Sequence, residues 1–446
     1  MTISLTSELA HHIVGYGSER IEARGLIVGK QCILDWFGVA LAGYNEPVAK
    51  VIRDEVLHWS RGPCTIVGSL HGAGPDAAAL VNGATSHALD YDDVRVTVGH
   101  PTVAILPAVL AVAEERLCTG EQALRALVTG AEVAAIVGSW SHPSHYARGF
   151  HTTATVCCFG AAAAAGLLLG LDEQRMTMAL GLAGTQAAGL KSMFGSMAKP
   201  FHAGKAASNG VLAARLAAAG VTSHPDVFGA KQGFLDTQCD AGIPSSLEAP
   251  QRGTEIAQTL FKYHAACYLT HSTMEAVRGI RESGVATSGI SSIEVHVPEM
   301  HLSVCNILSP QTGLETKFSL RHTASLSALG YDTAAITTYS DEHAGKPDLV
   351  SMRERVVVIG DHSDGTSARV IVHHQGGRAE AEIDVGIPTT DFDEQERRLR
   401  AKFDSLVGDA LGTLKTKALG DAIGTFERLD RISQLMAAAA LPSGRG

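Results

Sequence analysis

The sequence predicts a mainly α protein with an α+β second domain: a large all-helical domain built from both chain ends, with a smaller α+β domain inserted. Three observations carry that expectation. From residue 5 to about 265 apolar residues recur at spacings of three and four, the period of a helix with one buried face. Between 291 and 385 β-branched residues alternate or cluster between Gly, Pro and Asp, as in short strands. After Pro388 the helical period returns and runs to Ala440. The expected domains are therefore residues 1–266, completed by 391–446, and residues 267–390.

Taken in order, helical stripes run through 21–42, 104–116 and 122–137. Thr119 ahead of Glu121, and Asp172 ahead of the segment through Met178 and Leu182, are helix-start residues whose side chains can accept from free backbone N–H groups. The longest apolar run, 156–171, has sixteen residues of mostly Ala, Gly and Leu. That is short of the ~20 needed to span a bilayer and predicts a buried helix. Strands are expected at 291–297, 355–359, 369–373 and 379–385, with a helix at 317–328 between them and a Pro/Ser/Gly tail at 442–446.

Composition narrows the function. Apolar residues make up 45% of the 446, and 47 further residues are Gly, whereas charged residues are only 18%. Small-residue helices packed closely, with surface hidden in an oligomer, follow from that balance, so at least a homodimer is expected. The net charge is −10, and no Lys/Arg run exceeds a pair, so the chain lacks the cationic footprint of a nucleic-acid binder. Eight scattered cysteines without a CxxC, and a polar start after Met1, read as a reduced cytoplasmic protein that binds no membrane. The same spacing weighs against a structural metal.

Phosphate and zinc-hydrolase motifs are missing: Gly204-Lys205 lacks the P-loop pattern, no GxGxxG follows a strand, and there is no HExxH. Polar residues concentrate instead in four otherwise apolar stretches. Residues 82–93 end in Asp90, Asp92 and Asp93, with His100-Pro101 beyond. Three carboxylates so close together either tune one acid or cap the helix that starts near Thr102 as a solvated turn. Residues 146–151 place Tyr146 and His151 at the head of the Ala-rich helix, where a His is commonly a cap or a satisfied core group. Residues 199–205 hold Lys199, His202 and Lys205 among small residues; each lysine is either a desolvated base or a snorkelling surface group. Residues 262–271 end in His271. A metal held by His142, His145 and His151 with the Asp cluster lacks any ligand geometry, and Cys157 has no basic neighbour in sequence that would make it a nucleophile.

Read together, Asn82-Gly83, Asp90-Tyr91-Asp92-Asp93 with His100-Pro101, Gly149-Phe150-His151 before Phe159-Gly160-Ala161, Lys199-Pro200 with His202 and Gly204, Gly233-Phe234, Cys267 with Thr270-His271, and Lys317-Phe318-Ser319 resemble the MmgE/PrpD family in type and order. The family covers dehydration of 2-methylcitrate, decarboxylation of cis-aconitate and epimerisation of iminodisuccinate. The resemblance implies a dimer without cofactor or metal and a cleft between the domains lined by Asp90, His100, His151, Lys199 and His271. Val94-Arg95, His264-Ala265 and Arg321-His322 depart from the dehydratase-like pattern and resemble the epimerising members. The expected activity is therefore inversion of a carbon next to a carboxylate by two-base proton transfer, on a small polycarboxylate such as iminodisuccinate. Lys199 and Tyr146 are the expected acid–base pair on opposing walls. A tetra-anionic substrate needs several cations, for which Arg95 and Lys205 are candidates, although Arg95 could instead neutralise Asp92 and Asp93. The alternatives are a dehydratase-like or decarboxylase-like lyase and, in another class, a non-enzymatic helical scaffold.

Overall fold

The computed structural model describes residues 4–240, 242–363 and 365–441; the expected tail at 442–446 lies outside them. The chain divides into two compact units, one formed by the residues up to Thr259 together with those from Asp391 on, the other by Leu260–Thr390.

The first unit is helical. Thr119 caps the Gly120–Ser141 helix through a reciprocal capping box with Gln122, and Asp172 accepts from the Arg175 N–H at the head of the Glu173–Gly184 helix. The apolar run forms the Thr152–Leu168 helix, whose residues are buried from Thr152 through Gly166. Two helices, Ala23–Gly43 and Gly120–Ser141, are long and apolar enough to cross a membrane, but 78% of each apolar window is buried inside the protein, as in core helices. Their small residues let backbones touch. A Cβ on Gly83, in the Pro75–Ser86 helix, would lie 2.6 Å from Gly204 Cα, and one on Gly204, in the Ala198–Ala218 helix, would lie 2.1 Å from Leu80 O. Only glycine permits this crossing, and it brings the C-terminal end of one helix beside the N-terminal end of the other.

Helix does not continue to residue 265 as the periodicity suggests. After Ala218 the path is irregular, apart from Phe234–Gln238 and short 3-10 turns. Pro225, Pro244 and Pro250 cannot donate to a helix, and the backbone there finds other partners. The buried Glu132 carboxylate, for one, accepts from the N–H groups of Glu255 and Ile256 at 2.9 and 3.1 Å.

The Phe392–Leu411 helix completes this unit through Lys402, whose side chain is only 2% exposed. Its ammonium pairs with Asp35 at 2.6 Å, donates to Tyr91 O at 2.7 Å and lies 3.8 Å from the centre of the Tyr91 ring. Two residues on, Asp93 is buried against the helix that begins at Thr102 and accepts from the Thr102 hydroxyl at 2.5 Å. Burial raises its carboxyl to about 8, helped by the charges of Asp92 and Asp35 and opposed by the Thr102 hydrogen bond.

The second unit carries a four-stranded sheet in the order Val356–Ile359, Ile290–His296, Ser367–His374, Gly377–Asp384. The first pair is parallel, with Ile293 opposite Val356; the other two are antiparallel, with Glu294 opposite Ile371 and Ile371 opposite Glu380. Ile293, Val295, Val370 and Val372 pack with Ala276, Val277 and Ile280 of the His271–Glu282 helix and Leu320 and Ala324 of the Leu320–Leu329 helix into a separate core. The protein is thus mainly α with an α+β part.

Lys402→Met removes the ammonium paired with the buried Asp35 carboxylate and should lower unfolding free energy in denaturant titration by about 3–5 kcal/mol. Adding Asp35→Leu should recover most of the loss. Asp93 carries its proton in the fold up to about pH 8 but releases it in the ordinary carboxylate range near 3.8 when unfolded, so its contribution to stability is lost as pH rises across that interval. Asp93→Asn should therefore flatten the decline of stability between pH 5 and pH 9. Equal slopes for the variant and the parent would refute that.

Candidate active site

The helix crossing at Gly83 and Gly204 assembles a polar cluster in the first unit. Beyond Ser86 the chain unwinds through His87, and Asp90 adopts a left-handed backbone with φ 50°, which Asp tolerates better than most residues. Its carboxylate meets Lys199 Nζ at 2.7 Å and lies 3.6 Å from His100 Nε2. Lys199, the second residue of the partner helix, is mostly covered, whereas half of the Asp90 side chain faces solvent.

Behind this pair, Asp92 bridges two imidazoles. One oxygen lies 2.8 Å from His87 Nδ1 and the other 2.8 Å from His100 Nδ1. His100 Nδ1 also lies 2.9 Å from Asp93 O, so acceptors surround that nitrogen and it carries the proton. Its other ring nitrogen, Nε2, faces the Asp90 carboxylate. Burial acts to raise Asp92, but the charges and hydrogen bonds of His87 and His100 prevail and hold it well below the usual carboxylate range. Burial pushes His87 down to about 4, against the pull of Asp92.

His151 heads the Thr152–Leu168 helix, its ring near-parallel to that of His87 at 6.4 Å between centroids and its Nδ1 3.0 Å from His202 Nδ1. Burial, together with the nearby His87, His100 and Lys199, lowers it to about 2, so it is a neutral donor or acceptor at any physiological pH. The Phe194 ring meets it edge-on at 4.9 Å and passes 5.6 Å from Lys199 Nζ.

The structure therefore brings together Asp90, His100, His151 and Lys199. Three others expected of this site, Tyr146, Arg95 and Lys205, are not gathered with them. Tyr146 is half-exposed on the single turn Ser144–Ala147, and its lysine is Lys191, whose ammonium sits 3.6 Å above the ring and donates to Tyr146 O. Among the described residues Tyr146 makes no hydrogen bond to Lys199, Asp90 or His100. Arg95 neither neutralises Asp92 and Asp93 nor points a free guanidinium into the cluster: it is ion-paired with Glu255. Lys205 is exposed, six residues beyond Lys199 and thus roughly 240° further round the same helix. His271 belongs to the second unit, where it is buried and its Nε2 lies 3.3 Å from Ala266 O.

Sequence reasoning missed His87 and Asp92 as site residues. Asp92 read as one of three repelling acids, yet an acid five residues after one His and eight before another was a visible hint of an imidazole–carboxylate chain. His145 is a packing residue, stacked on Phe150 and bonded to the Thr155 hydroxyl at 2.8 Å. Cys157 is buried, and its thiol is pushed far up by that burial. His87, Asp90, Asp92 and His100 each offer one ligand atom within 4.8 Å of the others, a spacing a cation could use. The Lys199 ammonium already neutralises Asp90, however, and Asp92 spends both oxygens on imidazoles, so a cation would displace existing partners.

Comparison with known proteins adds to this geometry. The MmgE/PrpD N-terminal domain matches residues 7–244 and the MmgE/PrpD C-terminal domain residues 264–423. A cis-aconitate decarboxylase of Aspergillus terreus is 24% identical over 97% of this chain and 95% of its own length. The cis-aconitate decarboxylase of Homo sapiens is 26% identical over 73% of this chain and 70% of its own. A cis-aconitate decarboxylase-like protein of Aspergillus oryzae is 32% identical over 54% of this chain and 52% of its own. With both domains matched in order on either side of a short linker, the protein belongs to the MmgE/PrpD family.

Proposed function

We propose that the protein is a lyase that removes CO2 from a small unsaturated polycarboxylate of the cis-aconitate type, without a cofactor. The observation that carries this reading is the Lys199–Asp90–His100 array, a cation and a proton-handling imidazole side by side, in a chain aligned over nearly all its length with a cis-aconitate decarboxylase. Decarboxylation of such a substrate breaks one C–C bond to CO2. Its electron pair forms a new C=C, the old C=C pair takes a proton, and the remaining carboxylates need cations to hold them. Lys199 is the carboxylate-binding cation and His100 the proton donor at Nε2, its ring fixed through Nδ1 by Asp92. Neutral His151 supplies a hydrogen bond to a carboxylate without adding charge.

The epimerase reading, on iminodisuccinate, rests on Val94-Arg95, His264-Ala265 and Arg321-His322. It needs acid and base on opposite faces of one carbon, and Tyr146, expected for one of them, is engaged by Lys191.

Proton spectra of the purified protein in D₂O with cis-aconitate, 2-methylcitrate and iminodisuccinate separate the reactions. Terminal alkene signals with release of CO2 are expected. Alkene signals without CO2 would make it a dehydratase, and deuterium at an α-carbon without new alkene would make it an epimerase; either overturns the proposal. His100→Asn should lower turnover by about 10²–10⁴-fold, with a melting temperature within a few degrees of the parent.

A further inference from the structure

We propose that Arg95 is a positioning residue, whose ion pair with Glu255 fixes the turn that carries His100. The inference rests on the reading of His100 as the proton-handling group. Arg95 and Gly99 exchange backbone hydrogen bonds at 2.8 Å in each direction, closing residues 95–99 into a tight turn. Gly99 has φ +92°, and a Cβ there would lie 2.5 Å from the Thr153 hydroxyl, so the turn is pressed against the Thr152–Leu168 helix. His100 follows at once, and its N–H donates to that same hydroxyl at 3.0 Å. One side of the turn is thereby held by Thr153.

Arg95 holds the other side. Its guanidinium pairs with the Glu255 carboxylate and reaches Gln258 O at 3.4 Å, with only about a quarter of either charged side chain exposed. Glu255 is no loose surface acid, because its own N–H and that of Ile256 are bound by the buried Glu132. The chain of contacts thus runs from a core helix through Glu132 to Glu255, then Arg95, then His100. Asp92 and Asp93 have other partners, His87 and His100 for the first and Thr102 for the second, so the arginine is not needed to balance them. Its effect is geometric. Releasing it lets the turn pivot about Thr153 and moves Nε2 relative to Asp90.

Arg95→Gln, Glu255→Gln and the charge-reversed double variant Arg95→Glu/Glu255→Arg test this. Each single variant should lower kcat about 10- to 100-fold with KM little changed, since a misplaced proton donor costs rate rather than affinity. The double variant should regain most of it. Amide hydrogen exchange over residues 94–101 should quicken in both single variants and return toward the parent in the double. The exchange measurement needs no substrate, so it decides on the turn even where the decarboxylation assay fails. A raised KM with unchanged kcat would make Arg95 a substrate-binding residue. Unchanged exchange, or faster exchange with parental kcat, would overturn the proposal.

Discussion

The crossing of two helices at Gly83 and Gly204 is the constraint on which the site depends. Backbones meet there with no side chain between them, so the distance and angle of the two helices are set by main-chain contact. Lys199 and His202 project from the start of one helix, His87 and Asp90 from the end of the other. A residue as small as alanine at either glycine would separate the helices and draw the ammonium away from the Asp90 carboxylate. Rigid helix ends thus present the polar groups, while the irregular chain after Ala218 closes over other parts of the same unit.

Three carboxylates within four residues would be unstable if all were left alone, and the structure resolves them in three different ways. Asp90 is ion-paired with the Lys199 ammonium. Asp92 keeps its charge because two imidazoles share it. Asp93, with a hydroxyl rather than a cation for a partner, gives up its charge below about pH 8. Only the first is open to solvent, so the cluster shows a ligand one charged acid with its counter-ion, backed by a buried scaffold that orients His100.

Local features were legible in the sequence. The capping residues Thr119 and Asp172 and the four strands of the second unit stand within a residue or two of their expected places, because caps and alternating burial are written in neighbouring residues. Contacts between distant parts of the chain were not. Arg95 has its partner 160 residues away, and the sequence beside it offered only nearby aspartates. Tyr146 and Lys199 both lay in motif-like stretches, yet Lys191, at the start of a short 3-10 turn, took the tyrosine's face. The helical reading failed after Ala218 because apolar spacing persists there while prolines and a buried acid redirect the backbone.

The Lys402 anchor has a consequence for biosynthesis. It is 311 residues downstream of the Tyr91 carbonyl it binds, with the whole second unit between them. At ribosomal rates of roughly 5–20 residues per second, about 15–60 s pass between the emergence of Tyr91 and that of its partner. During that interval Asp35 and the Tyr91 carbonyl lack their contacts with Lys402. The helical unit therefore gains this anchor only once the Phe392–Leu411 helix has left the ribosome.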